Sequence, residues 1–173
     1  MKQLSIFDDA FQKIKKECGD GIRSYWKLFI DGAARNNPGP AGAGFYLLKD
    51  DQPVEKQGFF IGSKTNNQAE YFALLFGLFF LKKHLCKGDL VLIISDSQLL
   101  VRQLQGQYRV KNVELKPMHR LAKDFLQDVS HNVVHVLREE NVQADALANL
   151  GIDKKRKPPT EFLNVLRDYE IPI

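Results

Sequence analysis

The sequence predicts an α/β fold with a five-stranded mixed sheet, in which three antiparallel strands are followed by two parallel ones, flanked by helices. Three short strand patterns near the start are joined by connections that contain turn residues, which is typical of an antiparallel meander. The segment LVLIISD (90–96) is continuously apolar, as expected for a strand buried on both faces. A long apolar helix pattern precedes it, so this strand should return parallel to an earlier one.

The strand and helix patterns follow one another in the order β-β-β-α-β-α-α-β-α. The stretch GAARNNPGPAGAG (32–44) is so rich in Gly, Pro and Asn that it is predicted to be a turn region. Thr65 or Asn66 can cap the long apolar helix. The strands are expected at 25–31, near 44–49, around 56–62, at 90–96 and at 132–138, and the helices at 66–85, 97–105, 115–129, near 142–151 and at 161–169.

Length and composition indicate one globular domain with extensions at both ends. The chain has 173 residues, of which 44% are hydrophobic and 27% are charged, and such a chain can bury a sizeable core. We expect a helical N-terminal extension at 1–24, a main globular domain at 25–153, and a basic linker with a short C-terminal helix at 154–173. The formal charge of +4 permits a polyanionic partner without requiring one.

Cysteine usage and hydropathy suggest a location in the cytoplasm. Cys18 and Cys86 lie far apart and outside any zinc-binding spacing, so a disulfide scaffold and a zinc site are both disfavoured. The N-terminus lacks the unbroken apolar stretch of a secretory signal. The most apolar run, 71–81, has roughly half the length needed to span a bilayer, and it is interpreted as part of a buried helix.

Four acidic residues stand at the ends of predicted elements. Asp31 closes the first strand and Asp96 closes the apolar fourth strand, so their carboxylates converge if these strands are parallel neighbours roughly 5 Å apart. Glu70 is expected in the first turn of its helix, and Asp145 lies early in the last helix of the domain. An acid at such a position can also cap a turn or favour a helix dipole. Four acids together would repel one another unless cations are bound.

A cluster of carboxylates suits the hydrolysis of phosphodiesters. This reaction can use two hard cations roughly 4 Å apart, one to activate water and one to stabilise the leaving oxygen. The carboxylates hold the metal ions in this chemistry and do not attack the phosphorus. The sequence contains neither a GxSxG nucleophile motif nor a GxxxxGK[ST] phosphate loop.

Four segments together resemble the signature of type 1 ribonuclease H. They are DGAARNNPGPAGAG with Asp31, TNNQAE with Glu70, SDSQ with Asp96, and ENVQADALAN with Asp145. Their order and spacing also resemble the family pattern, and four segments in register over about 31–153 make the similarity highly specific. The resemblance implies the ribonuclease H-like fold and cleavage of the RNA strand of RNA/DNA hybrids.

The resemblance also implies the roles of individual residues. Asp31, Glu70, Asp96 and Asp145 are expected to be the catalytic acids that bind two Mg²⁺ (Mn²⁺ is possible), and the products would carry 5′-phosphate and 3′-hydroxyl ends. Asn37, Asn66, Asn67 and Gln98 are expected to bind the minor groove of the hybrid. For the three asparagines, capping of a turn or a helix start is an equally good explanation.

Two departures from the family pattern concern the segments around the site. Many bacterial members carry a basic helical protrusion, whereas only QLQGQYRVKN joins the two helices here, so the chain resembles the compact subgroup without it. Many relatives also place a histidine in the loop before the last acid, where this chain has LREENVQAD. Arg138 or Glu139 is the candidate for that accessory role, and His135 is interpreted as a structural residue inside the preceding strand.

Two alternative functions stay open at this point. The chain could be a non-catalytic nucleic-acid-binding module of the same fold, although retention of all four acids argues against this. It could also be a nuclease that cuts double-stranded RNA as well. The expected partner is an RNA/DNA hybrid, the expected state is a monomer, and KKRK (154–157) is either a nucleic-acid contact or a solvated linker.

Overall fold

Five strands form one mixed sheet in the computed structural model, which describes residues 23–173 together with Asp9, Gln12, Lys16 and Gly21. The order across the sheet is β3-β2-β1-β4-β5. β1 pairs antiparallel with β2, as β2 does with β3, and β4 runs parallel to both β1 and β5. The predicted fold class is therefore confirmed. The strands are β1 (Tyr25–Ala34), β2 (Gly39–Lys49), β3 (Gln52–Lys64), β4 (Leu90–Ser95) and β5 (Ser130–His135).

Five helices are described, and their order agrees with the predicted pattern. They are α1 (Asn66–Lys82), α2 (Gln98–Leu104), α3 (Leu115–Leu126), α4 (Val142–Lys154) and α5 (Thr160–Asp168), with a 3-10 turn at Arg138–Glu140. Thr65 is the cap of α1, because its side chain accepts from the Gln68 N–H while the Gln68 side chain accepts from the Thr65 N–H. Among the described residues, no helix has both the length and the apolar character that crossing a bilayer requires.

Helices cover both faces of the sheet. A Cβ on Gly44 would lie 2.4 Å from the Ala148 nitrogen of α4, whereas the neighbouring Phe45 ring lies 5.0 Å from the Phe80 ring of α1. Because successive side chains of a strand point to opposite faces, α4 covers one face and α1 the other. α3 packs beside α1. All six residues of β4 are buried, as its continuous apolar pattern predicts.

The predicted turn region at 32–44 is largely wrong, because β1 continues to Ala34 and β2 begins at Gly39. The small residues of β2 lie directly beneath α4, where a Cβ on Gly42 would come within 2.1 Å of the Ala148 carbonyl oxygen. Close packing of a helix on the strand therefore overrides the local preference of glycine and proline for turns. β5 also ends at His135, three residues before the predicted end.

The C-terminal segment returns across the edge of the sheet and adds a helix to the core. After α4, the Phe60 N–H of β3 donates to the Arg156 carbonyl at 2.8 Å. The predicted C-terminal helix is α5, whose Phe162 is fully buried. The Phe162 ring lies 4.1 Å from that of Phe76 and 5.2 Å from that of Phe79, both on α1. The predicted N-terminal helix falls mainly outside the described residues, and the division of the chain at 24 and 153 stays a prediction.

Replacing Phe162 by Ala is expected to lower the free energy of unfolding by about 3–5 kcal/mol, because it removes a fully buried aromatic ring. Chemical denaturation measures the change. The control is Leu150→Ala on α4, where the side chain is 48% exposed and the expected change is under about 0.5 kcal/mol. An effect of Phe162→Ala as small as that of the control would show that α5 is not part of the core.

Candidate active site

Parallel pairing of β1 with β4 brings Asp31 and Asp96 to the same edge of the sheet. Ile30 pairs with Ser95 in this register, and each acid is the next residue along the chain. The carboxyl ends of parallel neighbours meet at one edge, so the predicted convergence of the two carboxylates is confirmed. Asp31 is buried and Asp96 is partly buried.

A close contact between α1 and β1 brings Glu70 to the same place. Gly32 makes the contact possible, because a Cβ there would lie 2.1 Å from the Ala69 carbonyl carbon. The Gly32 N–H faces the Glu70 carboxylate and acts to lower its pKa. Glu70 is the fifth residue of α1 and not in its first turn as predicted. The helix dipole acts mainly within the first turn, so it does not account for an acid at this depth.

Asp31, Glu70 and Asp96 form a compact cluster, hereafter the acid cluster. Each contributes one carboxylate oxygen, and these oxygens all lie within 4.8 Å of one another. The Asp145 carboxylate borders this group and contacts Arg138 at 3.2 Å and Asn149 at 3.4 Å. Asp145 nevertheless interacts with Asp31, because its charge raises the Asp31 pKa. The structure thus brings all four predicted acids together, with Asp145 at the margin.

Burial and mutual repulsion favour the protonated forms of the acids. The pKa of Asp31 is raised from 3.8 to about 8, chiefly by burial and further by the charges of Asp96 and Asp145. Burial also raises the pKa of Glu70 well above its usual range, with further contributions from Asp31 and Asp96. The Gly32 N–H and the Arg138 charge oppose that rise only in part. Bound cations would remove this conflict by stabilising the charged carboxylates.

The donor set fits a hard divalent cation. The Glu70 Oε2 atom is buried and has no hydrogen-bond partner within the described residues, and an orphaned carboxylate oxygen of this kind is costly unless a cation or water satisfies it. Carboxylate oxygens are the ligands that Mg²⁺ and Mn²⁺ prefer. The acid cluster therefore has the chemistry of a divalent-metal site.

Arg138 and Asn149 flank the fourth acid. The Arg138 Nη2 lies 3.2 Å from the Asp145 Oδ1, although the Arg138 side chain is 78% exposed. The Asn149 amide donates to the Asp145 backbone carbonyl at 3.0 Å and approaches its Oδ1. Asn149 received no role from the sequence, although its spacing of four residues from Asp145 places both on one helix face. Glu139, the other accessory candidate, is exposed.

Asn141 is a buried polar residue that sequence reasoning did not single out. It is 1% exposed, and its amide donates to the Ile30 carbonyl of β1 at 2.8 Å and lies 3.5 Å from the Asp96 Oδ1. It thereby connects the ends of β1 and β4 to the start of α4. An asparagine just before a predicted helix signals a cap, but this side chain makes no capping hydrogen bond.

The predicted substrate contacts lie at helix starts and in the β1–β2 turn. The Asn37 Oδ1 accepts from the Asn66 N–H at 3.0 Å, so these two residues meet as the capping interpretation allows. Asn67 follows in the first turn of α1, and Gln98 begins α2 directly after Ser97, the residue that follows Asp96. All four side chains are exposed. A role in substrate binding stays a prediction for each.

An open cavity of about 530 Å³ contains the acid cluster. Basic and amide side chains share its wall with the acids, and the lining residues are Asp31, Gly32, Ala33, Ala34, Arg35, Asn66, Glu70, Asp96, Arg138 and Asn149. A larger cavity of about 730 Å³ lies at the amino ends of β4 and β5. Asp89 in this cavity has a structural role, because its carboxylate accepts from the Trp26 indole and from the Cys86 N–H, each at 3.0 Å.

His135 lies closer to the site than the sequence indicated. It is the last residue of β5, its side chain is exposed, and its Nε2 lies 3.1 Å from the Asp96 carbonyl oxygen. Its predicted place within the strand is confirmed, at the last position of β5, where it pairs with Ser95 of β4. Its interpretation as a structural residue stays a prediction. Only residues 105–114 join α2 to α3, so no helical protrusion is present there.

Comparison with known proteins decides the family. A family model described as reverse transcriptase-like matches residues 29–151. The ribonuclease HI of Halobacterium salinarum is 37% identical in an alignment of 148 positions that covers 84% of this chain and 71% of that protein. The ribonuclease H of Coxiella burnetii is 34% identical in an alignment of 145 positions that covers 75% of this chain and 91% of that protein. The chain belongs to the type 1 ribonuclease H family and is an enzyme of that family.

Solved structures of this family agree with the fold. The crystal structure of ribonuclease H1 from Halobacterium salinarum has a TM-score of 0.70 and 36% identity, covering 75% of this chain and 98% of the other. The structure of LC11 ribonuclease H1 in complex with an RNA/DNA hybrid has a TM-score of 0.68 and 35% identity, covering 76% and 98%. Both matches leave about a quarter of this chain uncovered.

The metal-free protein is expected to become less stable as the pH rises from about 4 to 8. The raised pKa values of Asp31 and Glu70 mean that the folded protein holds protons that the unfolded chain releases, so the free energy of unfolding falls over this range. Thermal unfolding in EDTA measures the slope. Asp31→Asn should flatten it, and added Mg²⁺ should raise the midpoint more at pH 8 than at pH 5. If stability changed equally with pH in the parent protein and in Asp31→Asn, the raised pKa of Asp31 would be contradicted.

Proposed function

We propose that this enzyme hydrolyses the RNA strand of RNA/DNA hybrids endonucleolytically, with two divalent metal ions, and leaves 5′-phosphate and 3′-hydroxyl ends. The observation that carries the proposal is the acid cluster, with three carboxylate oxygens within 4.8 Å of one another in a chain of this family. The relative whose structure contains a bound RNA/DNA hybrid supports the choice of substrate.

Asp31, Glu70, Asp96 and Asp145 would hold the ions, either Mg²⁺ or Mn²⁺. When bound, such ions supply an activated water and charge stabilisation for the leaving oxygen. The four acids would position the ions and supply the negative charge that binds them. Burial and the shared edge of β1 and β4 fix the carboxylates before substrate arrives, so little reorganisation is needed during the reaction.

Neighbouring side chains would orient the acids. Asn141 holds the ends of β1 and β4 together through the Ile30 carbonyl and the Asp96 carboxylate. Asn149, one turn further along α4, holds Asp145, because its amide donates to the Asp145 carbonyl and approaches the Asp145 carboxylate. These amides are neutral and limit the rotation of the carboxylates without adding charge to the cavity.

Discrimination between RNA and DNA is assigned to the exposed amides near the acid cluster. Asn37, Asn66, Asn67 and Gln98 would contact sugars and base edges in the minor groove, where the 2′-hydroxyls of RNA are accessible. The Asn37 Oδ1 is engaged by the Asn66 N–H, so the Asn37 amide nitrogen is the group that would donate to the hybrid. A monomeric state and a cytoplasmic location remain expectations that accompany this proposal.

Cleavage of labelled substrates tests the function directly. The substrates are an RNA/DNA hybrid, single-stranded RNA, duplex RNA and duplex DNA, each incubated with Mg²⁺, Mn²⁺ or EDTA. We expect metal-dependent cutting of the RNA strand of the hybrid, with product 5′ ends that a phosphatase can dephosphorylate and 3′ ends that a polymerase can extend. Cutting of duplex RNA would widen the substrate class, and binding without cutting would disprove the proposed reaction.

Asp31→Asn and Asp96→Asn are each expected to reduce turnover by a factor of about 10³ or more, because metal coordination contributes several kcal/mol to catalysis. Hybrid binding should remain measurable, since the exposed amides are unchanged. The matched control is Asp128→Asn at an exposed position with φ of 63°, a conformation that Asn tolerates well. Near-normal turnover in either cluster variant would exclude the assigned role.

Arg138 is proposed as the accessory residue in preference to Glu139. The exposed Arg138–Asp145 pair contributes little stability, whereas a positive charge in the cavity wall can act on the phosphate or on product release. Arg138→Gln is expected to lower kcat about ten-fold, equivalent to about 1.4 kcal/mol, and Glu139→Gln to leave it nearly unchanged. Steady-state kinetics on the hybrid compares them, and equal kcat values would refute the assignment.

A further inference from the structure

Four consecutive basic residues, Lys154 to Lys157, follow the region that the family model matches. We call this segment the basic turn. The match ends at residue 151, so the basic turn lies beyond what the family model describes. Contacts with α4 and β3 set its position in the fold.

The basic turn is fixed to the sheet and is not a free linker. Lys155 ends α4 with φ of 46°, and the Arg156 N–H donates back to the Gly151 carbonyl at 3.3 Å. The Arg156 carbonyl accepts from the Phe60 N–H of β3 at 2.8 Å. Its guanidinium lies 5.2 Å from the centre of the Phe59 ring. The backbone of the turn is thus held by α4 on one side and β3 on the other.

One face of α4 leads from the acid cluster to the basic turn. Asp145, Asn149 and Asp153 are spaced four residues apart and share this face. Arg35, which lines the acidic cavity, donates to the Asp153 Oδ1 at 2.5 Å. Eight residues of helix rise about 12 Å, which corresponds to roughly three or four nucleotides of a strand that advances about 3.4 Å per nucleotide.

The lysines of the basic turn present uncompensated charge. Lys154, Lys155 and Lys157 are exposed, and within the described residues no carboxylate lies within 4 Å of their amino groups. Like charges in a rigid segment repel one another, and a polyanion relieves that repulsion. The phosphates of a nucleic acid have the opposite charge. A strand that enters the acidic cavity can reach the basic turn along the same face of α4.

We propose that the basic turn binds the phosphate backbone of the RNA/DNA hybrid next to the cleavage site, and so extends the substrate-binding surface beyond the family domain. The proposal rests on the proposed function for the identity of the ligand. The turn contributes affinity that is sensitive to salt, and it takes no part in the chemical step. Its three lysines act together as a phosphate contact, while Arg156 keeps the turn on β3.

The test variant is the triple substitution Lys154→Gln, Lys155→Gln and Lys157→Gln, which leaves Arg156 in place. The control triple is Lys82→Gln, Lys87→Gln and Lys123→Gln, which removes the same charge at the opposite end of the sheet. Thermal unfolding first checks that both triples are folded. Binding of a labelled hybrid is then measured by fluorescence anisotropy between about 50 and 200 mM KCl, in an Asp96→Asn background that keeps the RNA intact.

The basic-turn triple is expected to bind the hybrid about ten-fold more weakly at the lowest salt and to lose about two to three units of slope in log K against log salt, since each phosphate contact contributes about 0.9. The control triple should stay within about two-fold of the parent. In proteins with Asp96 intact, the basic-turn triple should raise KM and leave kcat unchanged. Equal affinity and slope for the two triples would overturn the proposal, as would a loss confined to duplex DNA.

The cleavage assay tests the proposed function independently of the binding titration. An enzyme that cuts no hybrid in Mg²⁺ or Mn²⁺ would disprove the reaction, whereas the anisotropy titration requires no turnover. The titration would therefore still decide whether the basic turn binds the hybrid.

Discussion

Electrostatic repulsion among buried carboxylates is the interaction that the packing around this site has to withstand. Asp31, Glu70 and Asp96 place oxygens within 4.8 Å of one another, and burial weakens the screening that water would supply. A flexible scaffold would let the side chains separate. Here each acid lies in, or directly after, a different element of the core, so separation would require the elements themselves to move apart. Cohesion of the core therefore keeps the carboxylates close together despite their repulsion.

Two features of the packing keep the carboxylates from moving apart. Leu28 and Ile30 of β1 and Ile93 of β4 are fully buried, so the register that aligns the strand ends is tied to the core. At Gly32 the backbone of α1 lies directly on β1. Any side chain at this position would push α1 outward and take Glu70 away from the other acids. The absence of a Cβ is thus a requirement of the site as well as of the fold.

Much of this arrangement could be predicted from the sequence, and the exceptions have physical causes. Long apolar patterns gave the sheet topology, and four spaced motifs gave the acids. The start of β2 at Gly39 was not predictable, because it depends on the packing of α4 over small residues that locally favour a turn. Asn141 was missed for a similar reason. Its contacts join segments more than a hundred residues apart, and local spacing carries no sign of them.

Charges of opposite sign lie close together around the cavity, and this links the binding of metal and of nucleic acid. The acid cluster repels phosphates, whereas Arg35 and Arg138 in the same wall attract them. These charges lie in one small cavity, at distances below the Debye length of about 10 Å at 0.1 M salt. Dissolved salt therefore screens their interactions only in part. Divalent cations would cancel the repulsion and strengthen polyanion binding. By linkage, a bound polyanion must strengthen cation binding by the same factor.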